Sequence, residues 1–152
     1  MLRYRTFVSI TFLFLMMSPI ATRPASAQTR AGVQGGLSVD PDQVFVGGHL
    51  WTSPLVDRLR FRPGVDVGFG DNVTLVALNF DFTYGFASRT PWSLYVGAGP
   101  AVNFYKFDNN SDMRGGFNFI IGGQQRDGLF AEVKIGVMDS PNLKFGVGYT
   151  FK

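Results

Sequence analysis

Seven charged residues recur at alternate positions of four apolar segments, and their spacing is the first feature that could support chemistry. In Leu59–Gly70, LRFRPGVDVGFG, the charges Arg60, Arg62 and Asp66 fall on even positions, and apolar residues fall on most odd ones. This two-residue period is that of a β-strand with unlike faces. Charges of both signs can neutralise one another if they converge on one interior. We predict one polar network, formed by Arg60, Arg62, Asp66, Asp81, Glu132, Lys134 and Lys144.

Catalysis has little support in the residue pattern. His49 is the only histidine, and Ser53 lies four residues further on, which is about 13 Å along a strand. A nucleophile and its base must lie within hydrogen-bond distance of each other. Another strand could supply a serine, and the pattern does not assign His49 to either face. We expect no enzymatic activity.

Motifs for metal or cofactor binding are incomplete. Asp108–Asp112 has the first oxygen spacings of a calcium loop, but Met113 replaces the glycine and Phe119 replaces the bidentate glutamate. We therefore expect a polar loop from Asp108 to Arg114. Gly97-Ala98-Gly99 lacks the third glycine and the following helix of a dinucleotide site. The chain has no Cys/His cluster for zinc, and no cofactor or metal is predicted.

The first 27 residues have the features of a cleaved secretory signal peptide. Arg3 and Arg5 precede the apolar run Phe7 to Met17, and Ala25-Ser26-Ala27 fits the small-x-small cleavage pattern. An uncleaved anchor is the alternative, but a run of 11 residues falls short of the ~20 that a spanning helix needs. We predict a signal peptide over residues 1–27 and one exported β-barrel domain over residues 28–152.

The exported domain has no net charge. The formal +3 of the whole chain arises from Arg3, Arg5 and Arg23, which leaves 11 basic and 11 acidic residues in residues 28–152. A neutral domain gives no electrostatic reason to bind nucleic acid. Because cysteine is absent, an exported chain must be stabilised by packing, hydrogen bonds or lipid instead of disulfides.

About eight segments of alternating hydrophobicity, separated by turn residues, run from Ala31 to Phe151. Such repetition predicts an all-β, antiparallel, up-and-down barrel. Two positions are irregular. The Gly47-Gly48 pair predicts a bulge in the second strand, and Pro100, which has no N–H to donate, predicts a bulge or break in the fifth.

The composition of the two faces favours a barrel whose polar face points inward and whose apolar face points outward. The polar faces are rich in glycine, which fits the narrow interior of an eight-stranded barrel, whereas a soluble barrel would carry lysine and glutamate outside. The apolar faces would then contact lipid, and aromatic residues near strand ends would lie at the membrane interfaces. These interface aromatics are Phe61, Phe86, Trp92, Phe104, Tyr149 and Phe151.

Taken together, the exported start, the alternating strands, the mixed-charge face and the closing LKFGVGYTF resemble a known family. They are similar to the small Gram-negative outer-membrane β-barrel proteins of the OmpA/OmpX type, over essentially all of residues 28–152. The resemblance implies a surrounding outer-membrane lipid and recognition of the last strand by the barrel-assembly machinery. Phe145, Val147, Tyr149 and Phe151 occupy the matching alternate positions, whereas Lys152 follows the aromatic at which family members usually end.

We therefore expect an integral outer-membrane barrel with a filled polar lumen, both termini in the periplasm, and a structural or interaction role in the cell envelope. Two alternatives stay open. One is an exported soluble barrel, similar to a lipocalin, that binds a small apolar ligand between phenylalanine-rich walls. The other is a lipid-modifying outer-membrane enzyme.

Overall fold

The computed structural model describes residues 28–152, and the predicted signal peptide, residues 1–27, lies outside that range. Eight antiparallel strands follow one another around a closed barrel in which the first strand also pairs with the last. No helix within residues 28–152 is long and apolar enough to cross a membrane. The predicted all-β, up-and-down barrel is confirmed. The strands are β1 (Arg30–Val39), β2 (Gln43–Trp51), β3 (Leu59–Gly70), β4 (Val73–Gly85), β5 (Trp92–Phe107), β6 (Ser111–Gln125), β7 (Leu129–Met138) and β8 (Leu143–Thr150).

Strand β6 begins earlier than the sequence predicted. The loop expected from Asp108 to Arg114 is reduced to residues 108–110, because Ser111 already pairs with Lys106 and Arg114 pairs with Asn103. The prediction rested on the polarity of the side chains. These side chains are exposed, but their backbone continues the ladder that the long strand β5 provides.

Pro100 interrupts one ladder without shifting its register. On the β6 side it pairs with Phe117 in an unbroken series. On the β4 side, Asn79 pairs with Ala101 and Phe82 pairs with Ala98, but the residues between these two pairs are unpaired. The register is the same on both sides of this gap. The predicted local break is present because proline cannot donate to the ladder, and no residue is inserted.

The bulge predicted at Gly47-Gly48 is wrong. Gly47 pairs with Gln34 and Asp66, and Gly48 pairs with Val33 and Val65, in registers that run evenly through β2. Both glycines are regular strand residues. At Gly47 a Cβ atom would lie 2.5 Å from the carbonyl oxygen of Val65, so close packing accounts for glycine here.

The barrel is inverted relative to a soluble protein. Apolar side chains on the outer wall are largely exposed, with 58% exposure for Leu37, 62% for Ile121 and 61% for Val147. Arg62 and Asp81 on the inner wall are only 2% and 1% exposed. In a soluble protein, the surface normally carries the charges and the interior holds the aliphatic residues. Here the arrangement is reversed, and the core of the molecule is its polar lumen.

The two ends of the barrel differ in their connections. At the end where β1 begins and β8 ends, which we call the terminus end, the connections are residues 52–58, 86–91 and 126–128. At the opposite, far end they are residues 40–42, 71–72, 108–110 and 139–142. The far end therefore carries only short turns.

Candidate functional site

The lumen network is built around an ion pair between β3 and β7. The Arg62 guanidinium donates from Nη1 to Glu132 Oε2 at 2.7 Å and from Nη2 to Glu132 Oε1 at 3.1 Å. The Tyr95 hydroxyl donates to the same carboxylate at 2.6 Å. The Arg62 guanidinium also lies over the Trp51 and Tyr95 rings, at 5.4 and 5.7 Å from their centroids. Two parallel hydrogen bonds and two aromatic faces fix Arg62 in one orientation.

Lys134 extends the network towards β4. Its Nζ donates to Asp81 Oδ2 at 2.7 Å and lies 4.0 Å from Glu132 Oε1. Asp81 also accepts from Arg62 Nη2 at 3.5 Å. The Asp81 carboxylate thus lies between two cations, and both depend on it for neutralisation.

Lys144 and Asp66 form a second centre on β8 and β3. Lys144 Nζ donates to Asp66 Oδ2 at 2.7 Å, and it lies 4.1 Å from the centroid of the Phe45 ring. The Asp66 carboxylate further accepts from Gln34 Nε2 at 2.6 Å and from Asn79 Nδ2 at 3.0 Å. Three hydrogen bonds to one carboxylate satisfy a charge that is only 2% exposed.

The structure places six of the seven charges named from the sequence in the lumen, in two hydrogen-bonded groups instead of the one network predicted, and Arg60 is the exception. Arg60 is only partly buried, near the terminus end, and forms no ion pair with the other six. Its even position in β3 places it on the inner face, as predicted, but two residues nearer the opening than Arg62. The buried set is therefore balanced, with the cations Arg62, Lys134 and Lys144 against the anions Asp66, Asp81 and Glu132.

Several neutral members of the network were not named as site residues from the sequence. Asn118 donates to Asn79 Oδ1 at 3.1 Å, which continues the chain of contacts to β6. Gln34, Asn79, Tyr95 and Asn118 all occupy inward positions of their strands. Alternation along the strand was a sufficient signal for these residues, because the neighbours of each one face outward.

The far end of the lumen is covered by the β7–β8 turn. Asn103 Nδ2 donates to the Asp139 carbonyl oxygen at 3.1 Å and to Ser140 Oγ at 3.2 Å. The Tyr105 hydroxyl donates to the same Asp139 carbonyl oxygen at 2.5 Å. Ser140 and Pro141 are buried, so the turn folds inward over the opening.

His49, whose face the sequence left open, points into the lumen. It is buried, its Nε2 lies 3.1 Å from Thr150 Oγ1, and its ring contacts Phe130 with centroids 5.2 Å apart. Trp51 also lies inside, with its ring centroid 5.4 Å from that of Tyr95. The terminus half of the lumen is therefore packed with aromatic side chains as well as charges.

Inward glycines make room for this packing. Gly122 on β6 pairs with Tyr95 on β5, and a Cβ atom at Gly122 would lie 2.5 Å from the Tyr95 hydroxyl oxygen. The Tyr95 ring occupies the space above Gly122 and can therefore reach the Glu132 carboxylate. At the outward neighbour Gly123, a Cβ atom would meet no atom closer than 3.6 Å.

The six predicted interface aromatics lie on the outer wall. Five of them, Phe61, Phe86, Trp92, Tyr149 and Phe151, are at or near the terminus end, and Phe104 lies towards the far end. Neighbouring aromatic residues extend this set. Phe61 contacts Phe82 with centroids 5.1 Å apart, and Tyr84 contacts Phe86 at 5.5 Å.

These features define a fold class, the closed eight-stranded antiparallel barrel with a polar interior and an apolar outer wall. No protein-family model and no curated protein sequence matches the chain. The chain is similar in structure to Neisserial surface protein A, with a TM-score of 0.66 and 13% identity over 84% of this chain and 99% of that chain. It is also similar to the N-terminal β-barrel domain of Pseudomonas aeruginosa OprF, with a TM-score of 0.54 and 17% identity over 83% and 100% of the respective chains. The resemblance to small outer-membrane barrels is thereby confirmed as a likeness of fold.

Proposed function

We propose that the chain is a small integral protein of the Gram-negative outer membrane with a structural or interaction role in the cell envelope. The observation that carries this proposal is the inverted distribution of side chains. A band of exposed valine, leucine, isoleucine and phenylalanine surrounds a charged interior, and lipid is the solvent for which such a wall is suited. In this proposal the aromatic residues of the outer wall lie at the membrane interface, and both termini face the periplasm.

The proposed lumen is closed to bulk solutes. Its support is the set of six buried charges, three of each sign, and the turn that covers the far end. Near Phe45 and Lys144 the interior holds a cavity of only about 10 Å³, enough for about one water molecule. An eight-stranded barrel has an interior just wide enough for its side chains.

A soluble carrier of apolar ligands would need the opposite arrangement. The phenylalanines that would line its pocket, such as Phe69, Phe80 and Phe82, are exposed on the outer wall. A catalytic role has no better support, because the only side-chain hydrogen-bond partner of His49 among residues 28–152 is Thr150. The partners we propose are therefore outer-membrane lipid and, through strand β8, the barrel-assembly machinery.

Gel mobility of the protein from the envelope fraction, boiled and unboiled in SDS, tests this proposal. A membrane barrel stays folded in cold detergent and changes mobility on boiling, because its hydrogen bonds close on themselves. We expect that shift. Recovery of the protein in a soluble periplasmic extract, with no shift, would contradict membrane insertion.

A further inference from the structure

A depression of about 260 Å³ opens at the terminus end of the barrel. Three arginines line it, Arg30 and Arg60 from the starts of β1 and β3 and Arg58 from the β2–β3 connection. The aromatic residues Trp51 and Tyr95 line its inner part, and Asp57 and Thr83 are further polar members of its lining. An adjoining depression of about 280 Å³ shares Arg30 and Arg60.

These arginines have no counterions among residues 28–152. None of Arg30, Arg58 and Arg60 forms an ion pair there, whereas Arg62, two residues beyond Arg60, is bound to Glu132 and Asp81. The lumen below is already neutral without them. Three cations around one depression repel one another, and Asp57, which accepts a hydrogen bond from the Tyr84 hydroxyl at 3.4 Å, offsets only one of them.

The charge of the whole barrel is divided between its ends, so the depression lies in a positive field. The terminus end carries six basic and two acidic side chains, and the far end carries six acidic and two basic ones. Such a separation attracts anions to the terminus end. The terminus-end residues are Arg30, Arg58, Arg60, Arg89, Arg126 and Lys152 with Asp57 and Asp127; the far-end residues are Asp40, Asp42, Asp71, Asp108, Asp112 and Asp139 with Lys106 and Arg114.

We propose that this depression is a binding site for a phosphate-bearing anion. Guanidinium groups match phosphate oxygens with paired hydrogen bonds, and three of them line this one depression. Phe86 and Leu94 also line the depression, which suits a phosphate attached to an organic group. The phosphate can belong to a phospholipid headgroup or to a soluble molecule. Only the lipid source rests on the proposed membrane location.

Calorimetric titration of the folded full-length exported chain in a maltoside detergent, which contains no phosphate, tests the site. The probes are inorganic phosphate, short-chain phosphatidylglycerol and, as a zwitterionic comparison, short-chain phosphatidylcholine. The test variant is Arg30→Gln/Arg60→Gln. The matched control is Arg89→Gln/Arg126→Gln, which removes the same charge from the same end but from outside the depression.

We expect saturable binding to the wild type and a loss of about tenfold or more in affinity in the test variant, because two charge-assisted contacts are removed. The control should stay within about twofold of the wild type, since Arg89 and Arg126 do not line the depression and salt weakens their longer-range attraction. No saturable binding of inorganic phosphate or phosphatidylglycerol, or equal losses in the two variants, would overturn the proposal.

The probes also distinguish the source of the phosphate. Equal binding of inorganic phosphate and phosphatidylglycerol indicates recognition of the phosphate itself, and tighter binding of phosphatidylglycerol indicates a lipid headgroup. If the test variant fails to show the folded band in cold SDS, Arg58→Gln, in the exposed β2–β3 connection, replaces it with the same expected direction. If the wild type changes gel mobility on boiling but binds no phosphate, the result contradicts this site and still supports the proposed membrane barrel.

Discussion

The Arg62 guanidinium on β3 binds the Glu132 carboxylate on β7, the strand that lies diametrically opposite in the ring of eight. Its neighbour across the β3–β4 ladder is Asp81, yet that contact is the longer one, at 3.5 Å. This pair of hydrogen bonds thus joins opposite walls of the barrel. Contacts of this kind set the width of the lumen and fill it at the same time.

Glu132→Ala should be strongly destabilising. It removes both hydrogen bonds from Arg62 to Glu132 and leaves a buried cation without its main partner, which costs about 3–5 kcal/mol. The measurement is the free energy of unfolding in urea, with the protein reconstituted in lipid vesicles. The double variant Arg62→Met/Glu132→Leu, which removes both charges, should recover part of the loss. A double variant that is less stable than Glu132→Ala would contradict the explanation by unpaired charge.

Asp81→Ala should lower the unfolding temperature because Lys134 loses its 2.7 Å partner and Arg62 loses its second contact. The unfolding temperature is measured from the intensity of the folded band in SDS gels after incubation at increasing temperature. The control is Asp112→Ala, which breaks an exposed pair with Arg114 and should cost less than about 1 kcal/mol. An unchanged transition in Asp81→Ala would count against burial of the carboxylate.

Gly122→Ala should disturb the lumen through Tyr95. The added methyl group would meet the ring, which must move away from the Glu132 carboxylate, so we expect a loss of about 1–3 kcal/mol from overpacking. Gly123→Ala is the matched control on the outer wall, where the new Cβ makes ordinary contacts. Near-ultraviolet circular dichroism of the tyrosines reports the displacement of the Tyr95 ring, and urea unfolding reports the loss of stability. Equal behaviour of the two variants would contradict the packing of Tyr95 over Gly122.

The wild-type barrel should show negligible conductance in a planar bilayer. Its interior charges are paired and its far end is covered by Ser140 and Pro141, and on the proposed closed lumen we expect no continuous aqueous path for ions. Single-channel recording at neutral pH makes the measurement. Stable, large openings of the wild type would overturn the closed lumen.

Phe151→Ala should reduce the amount of folded barrel in the cell envelope if the assembly machinery reads the last strand. Phe119→Ala is the control, because Phe119 is 50% exposed on the outer wall and Phe151 is 49% exposed, but only Phe151 is at the C-terminal end. Cold-SDS gels of envelope fractions quantify the folded protein. Equal losses in the two variants would point to lost lipid contact instead of lost recognition.

Strand parity predicted much of this arrangement from the sequence. Where one face is polar and the other apolar, as in β3 and β4, alternation assigned each side chain correctly, and Asp66 and Asp81 are buried as their positions required. In β2 the inward residues include Phe45 and Trp51, which are as apolar as the outward Val44. The contrast between faces vanishes there, so His49 could not be assigned.

Parity does not predict which inward side chains meet. The partner of Arg62 is 70 residues away on β7, and that pairing depends on the tilt and stagger of the closed barrel. The same limitation explains Arg60. It shares its face with Arg62, but depth along the strand decides whether a charge is buried in the network or lies at the opening.

The charges of the lumen are divided between early and late parts of the chain, and this division bears on the order of assembly. Strands β3 and β4 carry Arg62, Asp66 and Asp81, and the residues that bind them across the lumen, Glu132, Lys134 and Lys144, arrive only with β7 and β8. A chain halted after β6 would hold Asp66 and Asp81 without their lysine partners and with Arg62 as the one buried cation. The interior charges therefore balance only when β7 and β8 have joined the first six strands.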